Sequence, residues 1–201
     1  MTIQVLTVCS GNICRSPMAE QLLRARLSDD DKLAFSSAGT VALSGAPMDE
    51  RAAQLATEHG SVDAEQQIAR ELSLEMVRDA DLILAMARDH RRAIVEALPR
   101  AVRKTFTIRE FARIVSSLNV DELTLAMEQA GTDASARFEA AIQLAAGERG
   151  MFPSDEPSDD DVVDPYRRDD ATYRTSTDQL IPAVNATAEF LGRVLKADSE
   201  H

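Results

Sequence analysis

Cys9 and Arg15 stand six positions apart in the segment Cys9-Ser10-Gly11-Asn12-Ile13-Cys14-Arg15-Ser16. A thiol, an arginine and a hydroxyl at this spacing are suited to holding and attacking a tetrahedral oxyanion. Backbone N–H groups of a tight loop, here Ser10, Gly11, Asn12, Ile13, Cys14 and Arg15, can converge as a nest around an anion. The start of a following helix adds the positive end of its dipole, and the same field favours a thiolate at the loop entrance. The guanidinium of Arg15 is a planar fork that holds two phosphoryl oxygens at once. Gly11 lets the backbone turn, and Asn12 tolerates a left-handed conformation. Such a site binds a phosphate dianion, attacks it through Cys9, stabilises the equatorial oxygens and passes through a cysteinyl-phosphate. The Ser16 hydroxyl can donate to the Cys9 sulfur. Taken alone, Cys9 reads as a buried cysteine ending a strand; Arg15 and the surrounding Gly11, Asn12, Ser16 and Pro17 turn the reading towards catalysis.

A leaving oxygen needs a proton, and the best candidate donor is Asp164 in Val162-Val163-Asp164-Pro165-Tyr166. The proline holds it extended, and acidic neighbours would favour its protonated form. On spacing alone, an aspartate opening a turn before proline is an equal reading. Cys14 is open between two roles, packing beneath the loop or trapping an oxidised Cys9 as a disulfide.

The elements that must position these residues are legible around them. Residues 3–8 are a short β-branched apolar run, a buried strand. Ser16-Pro17 reads as a capping serine with proline in the first helical position, opening a helix through Met18, Leu22, Leu23 and Leu27. Further strands are expected at 34–41, 80–86 and 106–108, with helices over 49–59 and 89–97. This alternation implies a parallel sheet covered by helices. Residues 109–148 carry helical periodicity with breaks near Asn119 and Gly131. They read as a helical insertion of two or three helices, more in keeping with a cap on the sheet edge than with an interaction surface. Residues 150–163 read as an acidic loop, with Asp155, Glu156, Asp159, Asp160 and Asp161 solvated and mobile. Ser176 to Ala197 reads as a final amphipathic helix with Pro182 in its first turns.

Composition limits the partners. The 201 residues, 44% hydrophobic, suit one globular domain spanning 1–201. A net charge of −12 argues against nucleic acid and anionic membranes, so an anionic substrate has to be captured by local chemistry. No apolar run is long enough to span a membrane and no secretory leader is visible, so a cytoplasmic location is expected. Two cysteines without nearby histidines, with His59, His90 and His201 far along the chain, make a poor zinc site. No metal or cofactor is expected. Oligomeric state is not legible.

The run Val8-Cys9-Ser10-Gly11-Asn12-Ile13-Cys14-Arg15-Ser16-Pro17-Met18-Ala19-Glu20 resembles the low molecular weight protein tyrosine phosphatases, as do Ser37-Ala38-Gly39-Thr40, Ala69-Arg70, Asp81 to Met86 and Asp164-Pro165-Tyr166. The resemblance covers about residues 1–108 and 160–197. It implies a three-layer α/β/α fold with a four-stranded parallel sheet. It also implies Cys9 as nucleophile, Arg15 as phosphate clamp and Asp164 as acid, with Asn12, Ser16 and Ser37 as the network holding the loop. Ile13, Leu43 and Tyr166 would form the substrate wall, and a phosphorylated protein would be the substrate. Departures fall around the site. Gln67 stands where relatives often carry histidine, and it can hydrogen-bond but not carry charge. Arg167 and Arg168 follow Tyr166 where a second tyrosine is usual, and Ala42-Leu43-Ser44 lacks an aromatic residue. Three other functions stay in view. An arsenate reductase of the thioredoxin-coupled kind would need a later cysteine pair, which is missing. A protein arginine phosphatase tends to carry threonine where Ile13 stands, so Ile13 favours an aryl phosphate. A non-catalytic phosphate-binding module would lack the nucleophile or the acid.

Overall fold

The computed structural model describes residues 2–27 and 31–196. Four strands, β1 (Ile3–Cys9), β2 (Leu33–Gly39), β3 (Leu82–Ala85) and β4 (Thr105–Thr107), form one sheet in the order β2-β1-β3-β4. Every pairing is parallel. The helices are α1 (Arg15–Arg26), α2 (Glu50–Glu58), α3 (Leu74–Asp79), α4 (Arg88–Ala97), α5 (Ile108–Ser117), α6 (Val120–Gln129), α7 (Ala134–Gly147) and α8 (Asp170–Lys196). Both faces of the sheet are covered, which is why its strands are near-continuous apolar runs. Val5, Leu82 and Leu84 face the larger core with α1, α2, α5, α6, α7 and α8. Leu6, Val8, Ile83 and Ala85 face a smaller one with Val77 of α3 and Ile94 of α4. The α/β expectation of three layers about a four-stranded parallel sheet is met.

From β1 the chain adds β2 on one side and β3 on the other, so the order reverses at β1. The C-terminal end of that strand is where an open α/β sheet leaves a crevice for ligands, and Cys9 is its last residue.

Several expectations change. Helix α1 begins at Arg15 with Cys14 as its N-cap and no side-chain cap. Ser16 therefore does not cap the helix; its hydroxyl is spent inside the loop instead. The 109–148 region is three helices, α5 opened by a capping box between Thr107 and Glu110, α6 capped by Asn119 and α7 by Asp133. Phe106 of β4, Phe111 of α5 and Phe190 of α8 stack in tilted and edge-on pairs at 5.1 and 5.6 Å, joining these helices to the sheet. The final helix starts at Asp170, six residues earlier than expected, so Pro182 sits in its interior. There the ring removes one helix hydrogen bond, in a helix that α1 and α5 hold on its buried side. Ala197, His201 and Met1 lie outside the described residues. No helix among the described residues is long and apolar enough to cross a membrane.

Candidate active site

The loop between β1 and α1 turns at Asn12, whose φ of 56° is left-handed; asparagine accepts this strain better than most residues. Gly11, expected to make the turn, has no positive φ. The carbonyls of Cys9, Ser10, Gly11 and Ile13 accept from Thr40, Val41, Leu43 and Asp49 N–H at 2.8–3.0 Å. The amides of Gly11, Asn12, Ile13 and Cys14 have no protein acceptor among the described residues. Carbonyls are thus committed outwards and amides left uncommitted, the donor set that an oxyanion requires.

Asn12 holds this shape from within. Its Nδ2 donates to Ser16 Oγ at 3.0 Å and to Ser37 Oγ at 2.9 Å, and its Oδ1 accepts from the Arg70 N–H at 2.9 Å. Gln67 Nε2 donates to Ser37 Oγ at 3.2 Å, and Arg70 Nε donates to the Ser37 carbonyl at 2.8 Å. The expected network of Asn12, Ser16 and Ser37 is assembled, and Gln67 joins it as a hydrogen-bonding, uncharged member. Ser16 Oγ lies 3.0 Å from Cys9 Sγ. Gly39 is required by contact: a Cβ there would overlap the Ser10 carbonyl oxygen.

Arg15 is 6% exposed and reaches across the loop mouth. Its Nη1 donates to the Val162 carbonyl at 3.0 Å, and its Nη2 pairs with Asp164 Oδ2 at 2.9 Å. The structure therefore brings Cys9, Arg15 and Asp164 into one place from opposite ends of the sequence. Asp164 is 53% exposed, and its Oδ1 accepts from the Tyr166 N–H at 3.2 Å.

The acidic segment departs from expectation. Asp160 pairs with Arg113 at 2.7 Å and Asp161 with Arg88 at 2.9 Å, while Arg109 and Arg113 donate to the carbonyls of Asp161 and Phe152 at 2.9 and 2.8 Å. A 3-10 turn covers Pro157–Asp160. Burial works against the Asp161 carboxylate, yet hydrogen bonds and charge from Arg88 hold its pKa below the usual range. The half of the segment next to the site is thus held by arginines rather than simply solvated.

The expected substrate wall is uneven. Leu43 is 43% exposed, its N–H held by the Gly11 carbonyl. Tyr166 is half-buried, with the Arg167 guanidinium 5.0 Å over its ring. Ile13 is only 5% exposed and packs into the core, so it shapes the loop from beneath more than it lines a wall. Cys14 is free and buried, and Cys9 is free as well; burial, then Asp49, pushes the Cys14 thiol up. At neutral pH the Cys14 thiol therefore stays protonated.

Sequence reasoning missed His90, Arg88, Glu71 and Gly39. Buried His90 Nε2 lies 2.8 Å from Ser10 Oγ, and Glu71 accepts from the Ala42 N–H at 2.7 Å, holding the loop that carries Leu43. A lone histidine in a predicted helix carries no signal of the loop it will meet. The described residues contain no group of ligating side chains suited to a metal ion.

The model of the low molecular weight phosphotyrosine protein phosphatase family matches residues 4–144. The low molecular weight protein-tyrosine-phosphatase Ptp of Acinetobacter johnsonii is 41% identical over 104 residues, 52% of this chain and 70% of that one. The probable low molecular weight protein-tyrosine-phosphatase EpsP of Ralstonia solanacearum is 38% identical over 136 residues, 65% of this chain and 91% of its own. Among solved structures, the YwlE arginine phosphatase of Geobacillus stearothermophilus is 26% identical, with a TM-score of 0.67 over 99% of this chain and 98% of that one. The low molecular weight protein tyrosine phosphatase of T. tengcongensis is 27% identical, with a TM-score of 0.65 over 94% and 99%. Asp164 lies beyond the matched residues of the family model.

Proposed function

The chain belongs to the low molecular weight phosphotyrosine protein phosphatase family, and we propose that it hydrolyses phosphotyrosine in proteins through Cys9, Arg15 and Asp164. The observation that carries this reading is the ion pair of Arg15 with Asp164 at 2.9 Å, over a loop whose uncommitted amides surround the approach to Cys9.

The chemistry follows from that arrangement. The arriving dianion takes the loop amides and Arg15 as its donors, so Asp164 is released from Arg15. The Cys9 thiolate attacks phosphorus in line, the ester P–O bond breaks, and the electron pair leaves on the phenolic oxygen. Asp164, as the acid, gives that oxygen its proton. Water then attacks the cysteinyl-phosphate with Asp164 as base, and the S–P bond breaks to return the thiolate. Arg15 and the amides hold the equatorial oxygens in both steps, where preorganised charge has its largest effect. Ser16 Oγ, 3.0 Å from Cys9 Sγ, supports the thiolate as it leaves. No metal or cofactor enters.

The proposed unit is a single phosphatase domain over 1–201, with 109–148 as a helical cap inserted beside the sheet and a phosphorylated protein as partner. Two free cysteines suit a reducing compartment, which supports a cytoplasmic location. A second reading, phosphoarginine as substrate, is favoured by the likeness to the arginine phosphatase over 99% of the chain. Turnover of phosphotyrosine, phosphoarginine and arsenate, measured side by side, tests the reading. We expect phosphotyrosine to have the highest kcat/KM; faster phosphoarginine hydrolysis or thiol-linked arsenate reduction overturns it.

A further inference from the structure

The two halves of the site meet on one short stretch of chain, the end of β3 and the first turn of α4. Met86 donates its N–H to the Val8 carbonyl at 2.7 Å and accepts from the Val162 N–H at 2.9 Å. Two residues on, Arg88 grips Asp161 with its whole side-chain fork. Its Nη2 meets Oδ2 at 2.9 Å, its Nε lies 3.2 Å from both oxygens, and its backbone N–H donates to Oδ1 at 2.8 Å. Asp161 precedes Val162, whose carbonyl accepts from Arg15, and lies three residues before Asp164. Another two residues on, His90 Nε2 meets Ser10 Oγ at 2.8 Å, and Ser10 directly follows the nucleophile.

Neither contact is explained by stability. The Arg88–Asp161 pair is partly exposed, and such pairs contribute little to folding; a fork with an added backbone bond instead fixes orientation. His90 is buried with its Nδ1 unpartnered, an arrangement with a desolvation cost that an apolar side chain would not carry. Local costs of this kind gather at functional positions.

We infer that the first turn of α4 is a bridge that sets the separation of nucleophile and proton donor: His90 positions the phosphate loop through Ser10, and Arg88 positions the acid segment through Asp161. This rests on the reading of Asp164 as the acid. His90 and Arg88 are positioning residues and touch no reacting atom. They act on different halves, so their loss has different kinetic signatures.

The test measures kcat/KM along a series of aryl phosphates of rising leaving-group pKa, together with inhibition by inorganic phosphate, in the full chain and in H90L, H90Q, S10A, R88M, R88K and D164N. For H90L we expect phosphate to bind about tenfold more weakly and kcat/KM to fall by a similar factor for every leaving group, leaving the slope unchanged, with H90Q restoring most of the loss. S10A reads the same contact should H90L fail to fold. For R88M we expect unchanged phosphate inhibition and a steeper slope, the poorest leaving groups losing about tenfold more than the best, with partial rescue by R88K. Unchanged phosphate binding in both H90L and S10A overturns the loop arm. If D164N steepens the slope and R88M does not, the bridge is wrong while the acid stands. If neither does, the assignment of the acid fails and the bridge with it.

Discussion

The phosphate loop and the acid segment meet at Arg15, yet they are built in opposite ways. Asn12, Ser16 and Ser37 are fully buried and bonded to one another, and the loop carbonyls are fixed by backbone partners. Asp164 is 53% exposed, and the chain before it is held by arginines from α4 and α5. In the proposed mechanism the difference follows from the work each half does. Charge that develops on phosphoryl oxygens is best met by donors that need no rearrangement. An acid that must give a proton, take one back and let product leave benefits from freedom. A rigid nest and a tethered, solvent-facing carboxylate are therefore complementary halves of one site.

Four changes break or sharpen that contrast. The largest effect belongs to the loop: Cys9→Ser should lower turnover of p-nitrophenyl phosphate by more than about 10⁴-fold, as loss of a nucleophile does elsewhere. Unchanged turnover would remove Cys9 from the mechanism. Asp164→Asn should lower kcat/KM for phenyl phosphate by about 10²- to 10⁴-fold, the range for a lost general acid, and much less for a phenol that leaves readily. Equal losses would point to another proton donor.

The third change concerns the strut between the halves. Burial, then the charge of Arg15, lowers the His90 pKa from 6.5 to about 4, against weaker upward pulls from Asp164, Asp89 and Asp161. Between those values the unfolded chain binds more protons than the folded one, so stability rises with pH through this window and is lost as pH falls from 6.5 towards 4. The contribution reaches about 3 kcal/mol near pH 4. Urea unfolding of the full chain and of His90→Gln at pH 7 and pH 4.5 should show the full chain losing stability relative to the variant at the lower pH; a constant difference would mean that the ring does not titrate as described. The smallest effect is steric. Gly39→Ala should cost about 1–3 kcal/mol, as overpacking does, and lower turnover evenly for all leaving groups. A loss confined to poor leaving groups would place Gly39's influence in the acid half.

The same contrast explains what could be read in advance. The loop is local: Cys9 to Ser16 contain the thiol, the guanidinium, the turn residue and one hydroxyl of the network, so their spacing is enough to point to the proposed chemistry. Strands 3–8 and 80–86 were legible because both faces of the sheet are covered and apolar runs result. Ser16 carries two readings in the sequence, a helix cap and a partner of the Cys9 sulfur, since a serine before proline looks the same in both; the structure keeps only the second. The start of α8 was placed at Ser176 because Asp169-Asp170 and the polar turn after it carry little apolar signal. The acidic run looked solvated because its partners, Arg88, Arg109 and Arg113, lie some 45 to 75 residues away in sequence.

The sequence by itself determined the fold class and most of the strands and helices, α3 excepted, because these rest on hydrophobic periodicity, and local spacing was enough to single out Cys9 to Ser16 as the candidate loop. Only the tertiary structure decided that Ile13 packs into the core, that Gln67 joins the Ser37 network, and that His90 and Arg88 reach the phosphate loop and the acid segment from one helical turn. Those depend on which side chains meet across the fold, and pair energies between distant residues leave no pattern in a single chain.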